Sequence, residues 1–320
     1  MSIIAQTASG YAGIYGTPLA RIEYADTIIA RWYAEDYLPE ITNTRIAERI
    51  TSCTQEINFL RAPTGGEWRS YQENQAMVPS MVSITAECVR VGILAYNALK
   101  FDENTIRTAC ERWDEFEKHF MVDMYQKLVK MLREWVLTGM IAETSPANKG
   151  ANAGKYGNIS LGTVDNPVVI NKDNIPVKLA LLQQVFYDSM AWRENEMFVV
   201  MPTQLMPVLV TSNYANAMWV GSCVSCSQSI TGMLSHQLVG FNVILTTEVI
   251  GRRNAAGQPF FFIIAGHREA FAFAADILAA RLVTDPYTFG IQYQVLAGWG
   301  GKALYPQALA VMVASFSYDG

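Results

Sequence analysis

The chain has 320 residues, 51% hydrophobic and only 17% charged, with 24 basic against 29 acidic side chains and a formal net charge of -5. No basic run or basic helix face stands out, which excludes a protein that grips nucleic acid. No apolar stretch reaches the ~20 residues of a membrane span, and five scattered cysteines (Cys53, Cys88, Cys110, Cys223, Cys226) exclude a secreted disulfide framework.

The charged share lies well below the usual quarter or so. Such a chain either has a very large core or hides much of its exterior against partners. A chain of this length cannot internalise everything, so the second is expected. Met1 to Tyr11 has no basic residue ahead of an apolar core, so no signal peptide is read there.

Met1 to Thr44 reads as a peripheral arm, with Gly10, Gly13, Gly16 and Pro18 opposing regular structure and a short helix over Tyr24 to Tyr37. Its aromatics need a surface, on its own domain or on a neighbouring copy. Cys53–Arg61 and Trp68–Gln72 read as strands about a turn at Pro63-Thr64-Gly65-Gly66. Cys53 to Ser80 thus forms a projecting hairpin that joins the body near Val82. Val82 to Cys88 alternates as a half-buried strand, and Val91, Ile93 and Leu94 continue it as a strand covered on both faces.

The stretch Phe101–Ile141 predicts one long helix. Ile106, Cys110, Trp113, Phe116, Phe120, Met124, Leu128, Met131 and Trp135 recur at steps of three and four. Asp102 and Asn104 are candidate N-caps, Lys127, Lys130 and Arg133 suit the C-terminal end, and Gly139 gives a stop. Asn104 to Leu137 would be about 50 Å long. The stripe lacks a strict heptad, which favours packing on a sheet over a coiled coil.

Glu143–Val168 reads as a glycine- and asparagine-rich loop with short strands near Ile159–Leu161 and Val168–Ile170. A second helix opens at Asp173 or Asn174 with Pro176 and carries Leu179, Leu182, Phe186 and Met190. Met197–Met201 is a buried strand ending at Pro202, Thr203–Val210 a helix and Phe241–Thr247 a strand. Met197 to Thr247 contains no Asp, Glu, Lys or Arg, so it reads as the centre of a domain that also meets other subunits. Gly251–Gly257 is an exposed loop and Phe260–Ala265 a strand. Arg281–Thr284 and Ile291–Leu296 form a wide hairpin, Trp299-Gly300-Gly301 breaks the chain, and Ala308–Phe316 is the last strand.

Chemistry has little to stand on. Cys223-Val224-Ser225-Cys226 is a CxxC without a second ligand pair. His119 reads as surface, His236 is isolated and His267 falls in a turn. The pairs Asp114/Glu117 and Glu194/Glu196 fall in solvated contexts, and neither a nucleophile elbow nor a phosphate-binding glycine loop appears. No catalytic residue, cofactor site or metal site is assigned.

The order of elements resembles the major capsid protein of tailed double-stranded DNA bacteriophages, the HK-97-type fold. The resemblance rests on the arm, the hairpin, the long helix and the charge-poor domain. It also rests on Phe198-Val199-Val200-Met201-Pro202, Val239-Gly240-Phe241-Asn242-Val243-Ile244, Asp285-Pro286-Tyr287-Thr288-Phe289-Gly290 and Trp299 to Ala308. It covers nearly the whole chain, by diffuse motifs. It implies an α+β fold: N-terminal arm over 1–45, extended loop (E-loop) over 46–81, peripheral domain over 82–175 and 273–298, axial domain over 176–272 and 299–320. The intersubunit tip of the loop would be Pro63, Thr64, Gly65, Gly66 and Trp68. The core of the spine helix would be Ile106, Trp113, Phe116, Phe120, Met124, Leu128 and Trp135.

The resemblance further implies a structural, self-assembling protein of the virion. It would form hexamers and pentamers of an icosahedral head, built in the host bacterial cytoplasm around loosely contacted double-stranded DNA. Implied partners are other copies of itself, a separate scaffolding protein (the arm begins almost at Met1), a portal protein and a decoration protein. No membrane is implied. No lysine precedes Lys100, so the lysine–asparagine weld that some members make from the loop is not expected. The rival within the fold is an encapsulin-like nanocompartment shell. The rival of another class is a cytosolic thiol or metal enzyme built on Cys223 and Cys226.

Overall fold

The structure, a computed structural model, describes residues 36–43, 56–60, 86–90, 92–102, 113–194, 196–212, 237–248, 251–255, 257–284 and 289–316. The described elements are α1 (Leu38–Ile41), β1 (Glu56–Leu60), β2 (Ala86–Arg90), β3 (Ile93–Asp102), α2 (Trp113–Glu143), β4 (Val168–Ile170), α3 (Ile175–Asp188) and β5 (Met197–Pro202). They continue with α4 (Met206–Thr211), β6 (Gln237–Leu238), β7 (Phe241–Thr246), β8 (Gly251–Arg253), β9 (Pro259–His267), β10 (Phe271–Thr284), β11 (Gly290–Ala303) and β12 (Leu309–Phe316). The expected loop tip (Pro63, Thr64, Gly65, Gly66, Trp68), Ile106, Cys53, Cys110, Cys223, Cys226, His236 and the arm before Asp36 lie outside the described residues.

The large sheet runs β4-β12-β9-β5-β7-β6, with β8 paired to β9. Its central strand β5 is buried at every position, as its unbroken run Met-Phe-Val-Val-Met-Pro demands. Strand alternation splits that run between two cores. Met197, Val199 and Met201 pack with Leu179, Leu182, Val185 and Phe186 of α3. Phe198 and Val200 pack with Val129, Leu132, Val136 and Met140 of α2. Ile263 and Ile264 of β9 divide the same way. The sheet therefore has a helix on each face. Helix α3 starts as predicted, with Asn174 at the N-cap and proline in its first turn, but it ends at Asp188. Met190 lies past that end with φ +53° and is almost wholly exposed, so it leaves the predicted stripe.

Helix α2 has 31 residues, about 46 Å at 1.5 Å each. Three expectations about it change. Phe101 and Asp102 end β3 and do not begin the helix. Lys127, Lys130 and Arg133 sit in its middle, and its last turn holds no basic residue. The buried face is Val129, Leu132, Val136, Leu137 and Met140, while Met131 is exposed. Leu128 and Trp135 flank that face and Met124 is half-buried. Weight given to the large side chains turned the predicted stripe away from the valines. Trp113, Phe116 and Phe120 lie on the helix, with their side chains outside the description.

The second correction concerns glycine. Gly139 does not stop α2; a Cβ there would stand 3.1 Å from Cζ of Phe271, so the helix passes close to that ring, which would have to shift by a few tenths of an ångström to admit a methyl group. Gly301 does not break the chain either, since β11 runs on to Ala303. A Cβ at Gly301 would lie 2.6 Å from the Ala272 carbonyl oxygen and 2.9 Å from Phe271. Both glycines mark close approaches to one buried ring, which also meets Trp135 edge-on at 6.5 Å.

β10 and β11 form the expected hairpin, longer than predicted, with β3 along the outer side of β11. Strand β1 pairs antiparallel with β2, from Glu56↔Arg90 to Leu60↔Ala86. Ala86–Arg90 thus belongs to the ribbon opposite Glu56–Leu60, while Val82 and Ile84 lie outside the described residues. Strand β3, expected to be covered on both faces, leaves Leu94 61% and Tyr96 81% exposed.

Gly301→Ala should destabilise the unassembled subunit by about 2 kcal/mol, because the clash is with backbone. Gly139→Ala should change stability by less than about 1 kcal/mol, since the gain in helix propensity offsets a contact the Phe271 ring can relieve. Urea midpoints of the two variants check this ordering. A separate check lies in the two-residue turn between β6 and β7, where Val239 holds φ +53° ahead of Gly240. A β-branched residue is strained there. Val239→Asn should raise the thermal midpoint, by roughly 1 kcal/mol of stability, as Asn-Gly suits such turns.

Candidate assembly surfaces

A catalytic centre would need converging titratable groups. Among the described residues no three His, Cys, Asp or Glu side chains gather closely enough to hold a metal ion. His267, expected in an open turn, ends β9 and is buried. Its Nδ1 accepts from the Glu269 N–H at 3.1 Å, so its proton sits on Nε2. That Nε2 donates to Oε2 of Glu196 at 2.6 Å. Both ring nitrogens are engaged in local structure, which leaves neither for proton transfer to a substrate. The same hydrogen bond and the nearby ring hold the Glu196 carboxyl below its usual range. Glu196 is solvated, as read, and through this bond it also ties the end of the strand.

A second polar cluster joins three distant parts of the chain. Arg133 of α2 donates through Nε to Asp36 at 2.9 Å and through Nη1 to Glu248 at 3.1 Å. The guanidinium also lies 4.8 Å from the centre of the Tyr37 ring. The Tyr37 hydroxyl and Thr246 Oγ1 are 3.2 Å apart, and Thr246 Oγ1 also bonds Glu248. Side-chain exposure is 26% for Arg133, 2% for Asp36 and 9% for Glu248. This cation lies largely out of water, with two carboxylates on one guanidinium. Burial tends to lower the Arg133 pKa, but the charges of Asp36 and Tyr37 and the hydrogen bonds to Asp36 and Glu248 together outweigh it, so the net movement is upward. Burial drives the Tyr37 hydroxyl well above the ordinary tyrosine value. The cluster pins the end of the arm onto its own subunit, where Leu38 and Ile41 enter the core. The arm's last described aromatic thus finds its surface at home.

The outer face of the three-stranded sheet is different, because no described element covers it. Leu94, Tyr96 and Leu278 are exposed there. Gly298 lies between Leu94 and Leu278: a Cβ on it would stand 2.9 Å from Leu278 Cδ1 and 3.3 Å from Leu94 Cδ2. On the inner face, between α2 and the hairpin, a shallow apolar cleft is lined by Tyr125, Leu128, Leu132, Ile277, Ala297 and Trp299, among others. Phe289, at the end of the hairpin, is 85% exposed. Grouped exposed apolar side chains of this kind mark contact surfaces. Sequence reading missed the patch on β3 because an apolar run looks the same whether its cover is its own domain or another molecule. Among the described residues no helix is long and apolar enough to cross a membrane.

Comparison of the fold with solved structures gives consistent neighbours. The capsid of Ralstonia phage GP4 matches with a TM-score of 0.60 at 11% identity, covering 88% of this chain and 91% of that one. A chain of Mycobacterium phage Che8 matches with a TM-score of 0.59 at 13% identity, covering 88% and 90%. A chain of the satellite phage P4 procapsid matches with a TM-score of 0.55 at 8% identity, covering 95% and 99%. The chain has the HK-97-type capsid fold. No family model matches the sequence, and no curated protein is similar to it at the level of sequence. The fold is therefore shared almost end to end at identities that sequence comparison does not detect.

Arg133→Met should destabilise the subunit by about 3 kcal/mol, since it leaves buried Asp36 and Glu248 uncompensated. Asp36→Asn should cost less, because Arg133 keeps Glu248. Denaturant unfolding of both variants tests the order. The raised Tyr37 pKa gives a pH signature. The folded state favours the neutral hydroxyl, so this contribution is full below the unfolded value of about 10 and declines as pH rises above it. Tyr37→Phe should flatten the alkaline loss of thermal stability.

Proposed function

We propose that this chain is a major capsid subunit, whose work is to tile with copies of itself into a closed icosahedral shell around double-stranded DNA. The observation that carries the reading is the likeness to phage capsid chains over 88–95% of this chain and 90–99% of theirs. The uncovered apolar face on β3 and β10 supports it, as does the low charged share of the whole sequence. The role is structural and not catalytic.

In this reading the copies form hexamers and pentamers. The ribbon that begins with β1 and β2 crosses to a neighbouring copy, with its tip at Pro63, Thr64, Gly65, Gly66 and Trp68. A two-stranded ribbon is marginal alone, and the exposed Leu94, Tyr96 and Leu278 supply the apolar surface it needs. Ile106, Trp113, Phe116 and Phe120 extend the core of the spine helix beyond Met124, Leu128 and Trp135. The expected boundaries (1–45, 46–81, 82–175 with 273–298, and 176–272 with 299–320) set arm, loop, peripheral and axial parts. A separate scaffolding protein, a portal and a decoration protein complete the particle, which is assembled in the bacterial cytoplasm.

Electron microscopy and light scattering of the purified protein test the proposal directly. Closed shells support it. A monodisperse species at the 35.6 kDa subunit mass under all assembly conditions overturns it. Deleting Pro63 to Arg69 should leave the subunit's unfolding midpoint unchanged and lower shell yield or shell thermal stability. Equal shell stability would remove the intersubunit role of that loop.

A further inference from the structure

We propose that His267 is a proton-operated catch on the hinge between the two sheets: it holds while the imidazole is neutral and opens when the ring takes up a second proton. The inference stands or falls apart from the shell reading, because every group in it belongs to one subunit.

The chain passes from the large sheet to the small one between β9 and β10, and it returns between β11 and β12. The outward crossing is a single 3₁₀ turn, Arg268–Ala270, with His267 at its N-cap. The return crossing is fastened to that turn. The Leu304 and Tyr305 N–H groups both donate to the Ala270 carbonyl oxygen, at 2.8 and 3.2 Å. The connection between the sheets thus runs through a few residues at element ends, which is where hinges absorb backbone change.

A Ser, Thr or Asn cap accepts through an oxygen that does not titrate near neutral pH. Here the acceptor is Nδ1 of a buried imidazole, 3.1 Å from the Glu269 nitrogen. Nε2 carries the ring's proton and donates to Glu196 Oε2 at 2.6 Å. A second proton can enter only at Nδ1, the atom to which the Glu269 N–H already donates. An imidazolium has two donors and no acceptor, so two N–H groups would face each other and the cap would be lost. Histidine is the side chain whose charge ordinarily changes between about pH 5 and 8.

The charged groups around the ring are the Glu196 and Glu269 carboxylates and the Arg193 and Arg268 guanidinium groups. Arg193 Nη1 lies 3.2 Å from Glu269 Oε2 and 3.9 Å from Glu196 Oε2. Charging the ring strengthens its bond to Glu196, since a charge-assisted hydrogen bond is the stronger kind. The imidazolium therefore stays on the strand end, and the turn is what has to move. Its movement pulls on Ala270, to which the return crossing is tied.

Amide hydrogen exchange of the full-length protein, read by mass spectrometry and corrected for the intrinsic rate at each pH, tests this. Between about pH 7.5 and about pH 5.5 the wild type should lose about tenfold in protection at residues 268–271 and also at 304–305. His267→Asn should lose less than about twofold at both places, because an asparagine oxygen caps the turn and does not titrate. Glu196, Glu269, Arg193 and Arg268 are unchanged in that variant, so their own titration appears equally in both proteins. His267→Lys, charged and without an acceptor, should show the low protection already at about pH 7.5. Strand β12 should stay protected throughout, which separates a local opening from unfolding. Wild-type protection that does not change with pH overturns the proposal, and so does an equal loss in His267→Asn. A loss at 268–271 without one at 304–305 overturns the hinge, since the turn then moves alone.

Discussion

One buried ring holds the halves of this fold together. Phe271 begins β10 immediately after the large sheet has delivered β9, and it is fully buried. The spine helix meets it through Gly139 and the returning hairpin strand meets it through Gly301. The arm reaches the same spot, where the Asn43 N–H donates to the Phe271 carbonyl oxygen at 2.8 Å. Helix, hairpin, large sheet and arm thus converge on a residue whose neighbours have given up their side chains to admit it. Close packing at this density has little slack. The angle between the spine helix and the hairpin is therefore set by steric fit and not by the sheet hydrogen bonds alone.

The polar cluster around Arg133 works on the same elements by a different force. Apolar packing is tolerant of direction, whereas a guanidinium that bonds Asp36 through Nε and Glu248 through Nη1 accepts few arrangements. Desolvation offsets much of the Coulomb attraction of such a group, so its worth to net stability is modest. What it supplies is registry, because any slip of the arm along α2 would strand a carboxylate in a buried setting. Phe271 draws the elements together, and Arg133 determines which position of the arm lies over which turn of the helix.

Much of this was legible in the sequence, and the exceptions share a cause. The strand Met197–Pro202, the N-terminal start of the helix at Ile175, the β10–β11 hairpin and the final strand follow from local pattern alone, because their partners impose the same period the sequence shows. Gly139 and Gly301 were misread because glycine has two uses, release of the chain and close approach. Only the position of Phe271 tells which applies. The turn of the α2 stripe onto Val129, Leu132 and Val136 was hidden because size is visible in a sequence and direction of burial is not. Arg133 looked like a charge suited to a helix end, since its partners Asp36 and Glu248 are 97 and 115 positions away.

The same logic explains how the fold persists where identity to the phage chains that share it falls to 8–13%. The large sheet needs alternating apolar residues with cover on both faces, and many sequences meet that condition. Among the described residues the small sheet is covered on its inner face only. Its outer face keeps Leu94, Tyr96 and Leu278 in contact with solvent, although polar residues there would cost the isolated subunit nothing. A monomer gains no stability from that choice. Apolar side chains in this position become favourable only when a second surface removes them from water, at roughly 25 cal/mol per Å² buried. The residues least explained by the subunit's own folding are thus the ones that only an added surface would stabilise.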